Sequence, residues 1–581
     1  MHLLYFTLQR VLRVARVPRP GIPASLFPVG LVAPSHVKPD PISNCVALWI
    51  KITILAALGV ALGARLSAVA GAQEFPPAEP HVVLRSVRFT GDAVALLSEA
   101  ERDRLAAGAV GKPLDFAGLQ DLVNRVTGVL QEKGRILARA YLPPQDVTEG
   151  ILEIAVIEGS VEDWVFEGDA AERLDLERLR AIAERAARPG EPLTFQALER
   201  ALLLMNDWAG LSATSRLEPG DSPGTTRVVV VLEDRSGISG TATIGNHGSA
   251  ATGAHQGSMT FNVDGALGSG ERLQLHVDLA AGVRHLRLGA QTGPSESGLS
   301  LSLRYTQLRH DVVSGASAAA GIGGETRDWF FEAVQPFVRS REWNSRGTFG
   351  AGHKLLDEWA GDELSRERRI AYGRLGLSGD RADEAGLSRW SVALVTGSVD
   401  LIVGWDAEGT AGPYGKFVFD LGRAQRLSPG WTLSAHVSGQ WADKNLDSSE
   451  QFSLGGPSGV RAYPVGEAAG DLGVLGGIEL WREVTAMSAG QAGLSIGGFL
   501  EGGWIQLRKE PVLPVPTATG LNSYTLSAAG IALAWTPSPN ASVQFTWAHA
   551  LRENPGRSIH GANADGSKGG SRVWVQSSFS F

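Results

Sequence analysis

Apolar and polar residues alternate at period two through most of the second half of the chain. Leu273, Leu275, Val277 and Leu279 alternate with Gln274, His276 and Asp278. Leu299, Leu301, Leu303 and Tyr305 alternate with Ser300, Ser302, Arg304 and Thr306, and the same rhythm returns at Trp431–Ser438 and Ser542–Trp547. Such a strand carries its apolar side chains on one face and its polar ones on the other. In an outer-membrane barrel the apolar face meets lipid and the polar face lines the lumen. A soluble antiparallel sheet with one wet face gives the same pattern. Two features favour the barrel. The alternation runs from about residue 236 onward without an evident domain break, and it finishes on a strand, Val573 to Phe581, whose alternating set includes Val575, Phe579 and Phe581. An unpaired apolar edge strand is a liability in water, and barrel closure removes it.

The stretch before residue 236 has a different grammar, and it occurs twice. A strand Val82–Phe89 ends at Gly91, and a helical segment follows at Ala95–Leu105. A second helix opens after Pro113-Leu114-Asp115-Phe116, with Leu119, Leu122, Val123, Val126, Val129 and Leu130 on one side. Strands Ile136–Leu142 and Ile151–Ile157 close this unit. The second copy reads Val161–Phe166, a helix at Leu176–Ala187, Pro192-Leu193-Thr194-Phe195 opening another helix, then strands Leu211–Leu217 and Arg227–Leu232. Asp115 and Thr194 stand at equivalent places and are expected to cap the free N–H groups of each second helix. Each copy is a small βααββ unit with an available sheet edge.

The front of the chain follows neither pattern. Residues 1–45 are basic and proline-rich, and Val46–Leu62 is an apolar run broken by Lys51. Small residues from Ser67 to Ala72 then suggest a signal-peptide exit, with cleavage after Ala70 or Ala72. A membrane anchor is the alternative. The domain reading is residues 1–72 as extension and signal peptide, 73–81 as linker, 82–159 and 160–235 as the two small units, and 236–581 as barrel.

Composition adjusts this picture only slightly. A net charge of -8 argues weakly against a nucleic-acid partner. Hydrophobic content of 43% is low for a many-spanning helical transporter, whereas a barrel dilutes its apolar residues by alternation. The single cysteine, Cys45, precedes the expected cleavage, so no cysteine metal site is expected. Dividing residues 236–581 among sixteen strands gives roughly 21 residues per strand and connection, against about 9 to 11 for the crossing itself. Fourteen or eighteen strands also fit. Trp329, Phe330, Phe331, Trp343, Trp431 and Trp441 are candidates for the membrane interfaces.

Enzyme chemistry finds no foothold. There is no P-loop, Gly-x-Ser-x-Gly elbow or His-Glu-x-x-His. The 12 histidines are scattered, and His247 and His255 read as solvated residues. No cofactor and no metal are expected.

The tandem units resemble polypeptide-transport-associated (POTRA) domains, and the pair followed by a barrel resembles the outer-membrane translocators of two-partner secretion (TpsB, the ShlB/FhaC/HecB-type haemolysin secretion/activation proteins). The most specific segment is Gln451-Phe452-Ser453-Leu454-Gly455-Gly456 leading into Val460-Arg461-Ala462-Tyr463. In that family it is the tip of a loop folded into the barrel, with glycine where Ala462 stands here. The family's arginine docks on an acidic residue of a strand motif, which Gly498-Phe499-Leu500-Glu501-Gly502-Gly503 matches with Glu501 in the acidic position. The resemblance therefore implies a transmembrane antiparallel β-barrel of sixteen strands preceded by two periplasmic POTRA domains. It implies a loop-to-barrel lock between Arg461 and Glu501, with a bidentate guanidinium–carboxylate pair. Gly455, Gly456, Val460, Ala462 and Tyr463 would form the tip, Phe499 and Gly503 the strand motif, and Phe579 and Phe581 the barrel terminus. The family often carries a plug helix before its first POTRA domain. Pro76, Pro77 and Pro80 disfavour one in residues 73–81, which leaves the folded-in loop as the main occlusion. The implied partners are a secreted β-rich exoprotein, outer-membrane lipid and lipopolysaccharide, and, during biogenesis, the barrel-assembly machinery and periplasmic chaperones. An insertase of other barrels and a passive porin-like or anchoring protein are the alternatives.

Overall fold

The computed structural model describes residues 81–315, 318–487, 492–515 and 517–581. The expected extension, signal peptide, Cys45 and linker up to residue 80 lie outside the described residues. The rest forms two compact units. One holds the chain up to Val129 together with Ala140–Val156, and the other holds Leu130–Arg139 and Ile157–Phe581.

In the first unit β1 (Ser86–Thr90), β2 (Arg139–Tyr141) and β3 (Ile151–Ile157) form a sheet in the order β1-β3-β2, with β1 and β3 parallel. Helix α1 (Glu99–Ala107) starts on a capping box that the sequence reading passed over. The Glu101 amide donates to Ser98 Oγ at 3.4 Å, and the Glu101 carboxylate accepts from the Ser98 amide at 2.8 Å. Helix α2 (Phe116–Glu132) begins where Asp115 Oδ1 accepts from the Gly118 amide at 2.7 Å. Two expected strands come out differently. Val82–Phe89 is split: Val82–Val83 pairs with Pro113–Leu114, and the Arg85 and Ser86 amides then both donate to the Gly150 carbonyl, which turns the chain into β1. Ile136–Leu142 shortens to β2, because the Ala138 amide closes a turn on the Arg135 carbonyl and Leu137 enters the core of the second α/β unit.

That second α/β unit has β4 (Ser160–Glu167), α3 (Leu176–Ala186), α4 (Phe195–Asn206), β5 (Leu211–Pro219) and β6 (Thr225–Asp234). Its sheet order is β4-β6-β5, parallel across β4–β6 and antiparallel across β5–β6. Thr194 Oγ1 caps α4 by accepting from the Ala197 amide at 3.2 Å. Trp164, Leu179, Ile182, Met205, Trp208 and Val230 fill the core, and the buried Trp164 indole N–H donates to the Ala187 carbonyl at 2.9 Å.

Sixteen antiparallel strands then close on themselves. They are β7 (Ile238–Gly245), β8 (Gln256–Asp264), β9 (Arg272–Ala280), β10 (Val283–Gln291), β11 (Ser300–Asp311) and β12 (Ile322–Arg339). Next come β13 (Trp343–Ala360), β14 (Glu363–Asp383), β15 (Gly386–Val403), β16 (Gly412–Ser428) and β17 (Trp431–Ala442). The last five are β18 (Leu472–Thr485), β19 (Gly493–Gln506), β20 (Ser523–Ser538), β21 (Ala541–Ala550) and β22 (Ser571–Ser580). The ring closes where Gln576–Ser580 of β22 pairs with Thr241–Gly245 of β7, and Gly240 and Phe581 exchange backbone hydrogen bonds just beyond. The outward set is apolar, as the alternation requires: Leu275, Leu279, Phe349, Leu394, Ile531, Phe579 and Phe581 are exposed. Trp329, Phe331, Trp343, Trp431 and Trp441 are exposed too. Phe330 is a correction to the interface reading. One residue out of phase with its neighbours, it points inward, where it stacks on Tyr372 at 5.6 Å and lies under the Arg304 guanidinium.

The second α/β unit is bound to one rim of the barrel, which fixes the periplasmic side. The Asp175 amide donates to the Gly268 carbonyl in the β8–β9 turn at 3.0 Å. The buried Trp208 indole N–H donates to the Pro294 carbonyl in the β10–β11 connection at 3.2 Å. Arg339, at the end of β12, forks onto both oxygens of Asp207 at 2.7 and 2.9 Å. The opposite rim carries the longer loops, and the segment between β17 and β18, residues 443–471, turns back into the lumen.

Candidate functional site: a loop clamped inside the barrel

The loop tip forms because its glycines permit it. Gly456 has a φ of +109°, a conformation side chains rarely adopt, and the backbone then folds back so that Gly455 bridges Val460. Phe452–Ser453 pairs with Ala469–Gly470 and closes the base of the tip. Leu454, Val460, Ala462 and Tyr463 are buried against Leu475, Phe499, Ile505, Leu526 and Ala548 of the barrel wall. Ala462 does not have a positive φ, so this tip does not require the family's usual glycine. Gly503 matters for a different reason. A Cβ there would stand 2.5 Å from Leu454 Cδ2 and 2.6 Å from the Val474 carbonyl oxygen, so a bare backbone lets the tip lie against β19.

Arg461 sits at the centre. Its Nε donates to Glu501 Oε2 at 2.8 Å, and its backbone amide donates to Glu501 Oε1 at 2.5 Å. Its Nη2 goes elsewhere, to Glu479 Oε1 on β18 at 2.5 Å. The expected two-pronged guanidinium grip on one carboxylate is therefore corrected. The guanidinium is shared between two carboxylates, because Glu501 spends its other oxygen on the Arg461 backbone. Phe499 lies flat beneath, with the guanidinium carbon 3.5 Å from its ring centre. The Trp481 indole holds the second oxygen of Glu479 at 2.8 Å, and the Trp574 indole of β22 donates to the Arg461 carbonyl at 2.8 Å. Arg461 and Glu501 are both buried. A charge pair in that setting holds only if its remaining polar atoms are matched, and here most of them are.

Glu479, Trp481 and Trp574 were missed in the sequence. The signal for the first two was their phase. Glu479 and Trp481 alternate with the outward Ile478 and Leu480, and Glu479 faces Phe499 in register. Tyr463 donates to the Arg552 carbonyl at 3.2 Å, tying the tip to the loop between β21 and β22. Glu467 extends that tie, accepting from Asn554 Nδ2 and the Ala564 amide, each at 2.7 Å.

A second group of charges grips the other limb of the loop. Glu450 accepts from Lys416 Nζ at 2.9 Å and pairs with Lys354. Arg368 of β14 pairs with Asp447 of the loop and with Glu358 of β13. Gln440 Nε2 bridges the carbonyls of Glu450 and Asp471 at 3.0 and 3.2 Å. The loop's Asp447 and Glu450 meet wall residues 34 to 96 positions away in sequence, which is why residue patterns alone did not expose the cluster. Thr194 caps its helix in the second α/β unit and takes no part in this site, and Asp115 caps its own helix in the first unit.

A closed barrel with a loop clamped in its lumen and an α/β unit bound at one rim defines an outer-membrane protein of the POTRA–barrel class. Residues 224–522 match the haemolysin secretion/activation protein family ShlB/FhaC/HecB, and residues 82–159 match the ShlB-type POTRA domain. The chain belongs to the ShlB/FhaC/HecB family. Among its relatives, the heme/hemopexin transporter protein HuxB of Haemophilus influenzae (strain 86-028NP) is 23% identical over 377 residues, 63% of this chain and 66% of that protein. The match thus spans just under two thirds of HuxB. The outer membrane transporter CdiB of Dickeya dadantii is 24% identical over 423 residues, 69% of this chain and 72% of that protein. Among solved structures, CdiB from Escherichia coli aligns over 94% of this chain and all of its own, with a TM-score of 0.65 at 19% identity. A Haemophilus ducreyi BamA lacking POTRA domains 1–3 gives 0.53 at 14% identity, over 86% of this chain. At these identities the structures speak to the fold alone.

Proposed function

We propose that the protein takes an unfolded, β-rich exoprotein from the periplasm through its POTRA domains and passes it through the barrel to the cell surface or medium. The observation that carries this reading is the loop held in the lumen by two separate charge clusters, in a chain of the ShlB/FhaC/HecB family. A permanently open channel has no use for such a device, whereas a translocator needs an occluded rest state. The sheet of each α/β unit offers an edge to which an extended segment can add by backbone hydrogen bonds. The polar lumen would keep the moving chain's N–H and C=O groups solvated, and folding of the exoprotein outside would give the direction. Arg461–Glu501 acts as the loop lock. Lipid and lipopolysaccharide surround the barrel, and the barrel-assembly machinery and periplasmic chaperones serve its biogenesis.

The test is secretion of a candidate β-rich exoprotein, in cells with and without the protein, with other outer-membrane proteins measured alongside. Loss of that exoprotein alone from the medium is the expected result. A general fall in barrel proteins would instead identify an insertase, and unchanged export would leave a passive pore or anchor.

A further inference from the structure

Three strands round the ring from β22, the β9–β10 hairpin gathers two imidazoles and a carboxylate. The strands turn at Ala281–Gly282, and this register sets Asp278 opposite His285, with His276 two residues away on the same face. That face is the lumenal one, since Leu275, Leu279 and Leu288 point outward and are exposed. His276 Nε2 lies 2.9 Å and His285 Nδ1 2.6 Å from the same atom, Asp278 Oδ2. One ligand atom from each residue lies within 4.8 Å of the others, and all three side chains are largely covered.

From this geometry we infer a divalent-metal site, with Zn²⁺ the ion whose ligand preferences it fits. Two imidazole nitrogens and one carboxylate oxygen are a common zinc donor set, and they leave a fourth position open to lumenal water. Tetrahedral bonds of about 2.0–2.1 Å separate ligand atoms by roughly 3.3 Å. The two hydrogen-bonded contacts therefore need to open by about 0.4 and 0.7 Å, which side-chain rotation on a fixed hairpin supplies. An outer partner is already in place: Thr260 Oγ1 is 2.8 Å from His276 Nδ1. The threonine hydroxyl can donate or accept. When a metal takes Nε2, the imidazole proton sits on Nδ1 and that N–H donates a hydrogen bond to the threonine hydroxyl, so a neutral histidine binds without net proton loss.

One neighbour opposes the cation. Arg287 stands opposite His276 in register, with its Nε buried and without a hydrogen bond. Its charge weakens the site for a cation. The residues opposite Asp278 and His285 on the flanking strands, Ser258 and Leu308, carry no charge.

The experiment titrates ZnCl₂ into the full-length, metal-stripped protein in detergent, without a polyhistidine tag, by calorimetry. Co²⁺ absorption serves as a second readout. Wild type should bind one equivalent with the visible bands of a low-coordinate, nitrogen-containing site. His276→Gln and His285→Gln should each weaken binding by at least about tenfold. Arg287→Gln should tighten it by about threefold or more. Heat-modifiable migration on gels checks that each variant keeps its barrel. No binding at millimolar Zn²⁺, or binding unchanged in the double variant H276Q/H285Q, overturns the proposal.

Discussion

Glu501 holds Arg461 at two points, the side-chain Nε and the backbone amide. A carboxylate that fixes both the charge and the main chain of one residue positions the loop as well as neutralising it. Replacing Glu501 with alanine removes both contacts and leaves a buried guanidinium with only Glu479. Breaking a buried pair in this way costs about 3–5 kcal/mol. Glu501→Ala should expose residues 443–471 to external protease and reduce export at least tenfold, while the barrel remains heat-modifiable. Intact loop protection in this variant would remove the lock.

The split guanidinium makes a finer prediction. Glu479→Gln keeps a hydrogen-bond acceptor and loses a charge, so its effect on loop protection should be clearly smaller than that of Glu501→Ala, by about 1–2 kcal/mol. Equal effects would mean that the pair behaves as one undivided charge.

Gly503→Val tests the close approach of the tip without touching any charge. The added side chain meets Leu454 and the Val474 carbonyl, and overpacking of this kind costs about 1–3 kcal/mol. Protease sensitivity of the loop should rise as it does in the charge variants. Wild-type protection would show that the tip can lie elsewhere.

The second cluster should act on the same loop. Asp447→Asn leaves buried Arg368 with Glu358 and should loosen the loop on its own. If both clusters hold one rigid body, combining it with Glu501→Ala should add less than the sum of the single effects. Strict additivity, read from protease half-lives, would indicate two independent halves.

Outside the membrane, Glu162 ties the β5–β6 hairpin to β4. Its carboxylate is held below the ordinary value of 4.5, chiefly by the Thr225 hydroxyl, and the Ser222 amide adds to this. Because the folded-state pKa is depressed, the stabilisation is present above about pH 4.5 and fades as pH falls through the lower folded value. Glu162→Gln should therefore flatten the acid limb of unfolding of this unit between about pH 5 and 3. An unchanged acid limb would show that Glu162 plays no part in it.

What was legible in the sequence follows from how local each signal is. Alternation at Leu273–Leu279 is a property of a single strand and showed an amphipathic strand; its unbroken run from about residue 236 and the apolar terminal strand favoured the barrel. The repeated Pro-Leu-Asp/Thr-Phe motif placed both helix caps. The Arg461 and Glu501 motifs could be paired only through resemblance, since nothing within either segment points to the other. Glu450, Asp447, Arg368 and Lys416 come together only when the loop folds back against β14 and β16, so no short window of sequence contains that cluster. Phe330 shows the opposite failure. An aromatic beside Trp329 and Phe331 invites the same assignment, and only strict phase tells the inward residue from its outward neighbours. His276 and Asp278 were visible as polar positions, but they needed the hairpin register to meet His285.

The Trp574 indole that closes over the Arg461 carbonyl belongs to a strand laid down 113 residues later. The loop tip is made long before its last contact exists. Its seat is complete only when the final strand has taken its place beside the first. Order of synthesis thus becomes order of fastening: a barrel still waiting for its last strand has an unfinished latch, and the finished latch records that the ring has closed.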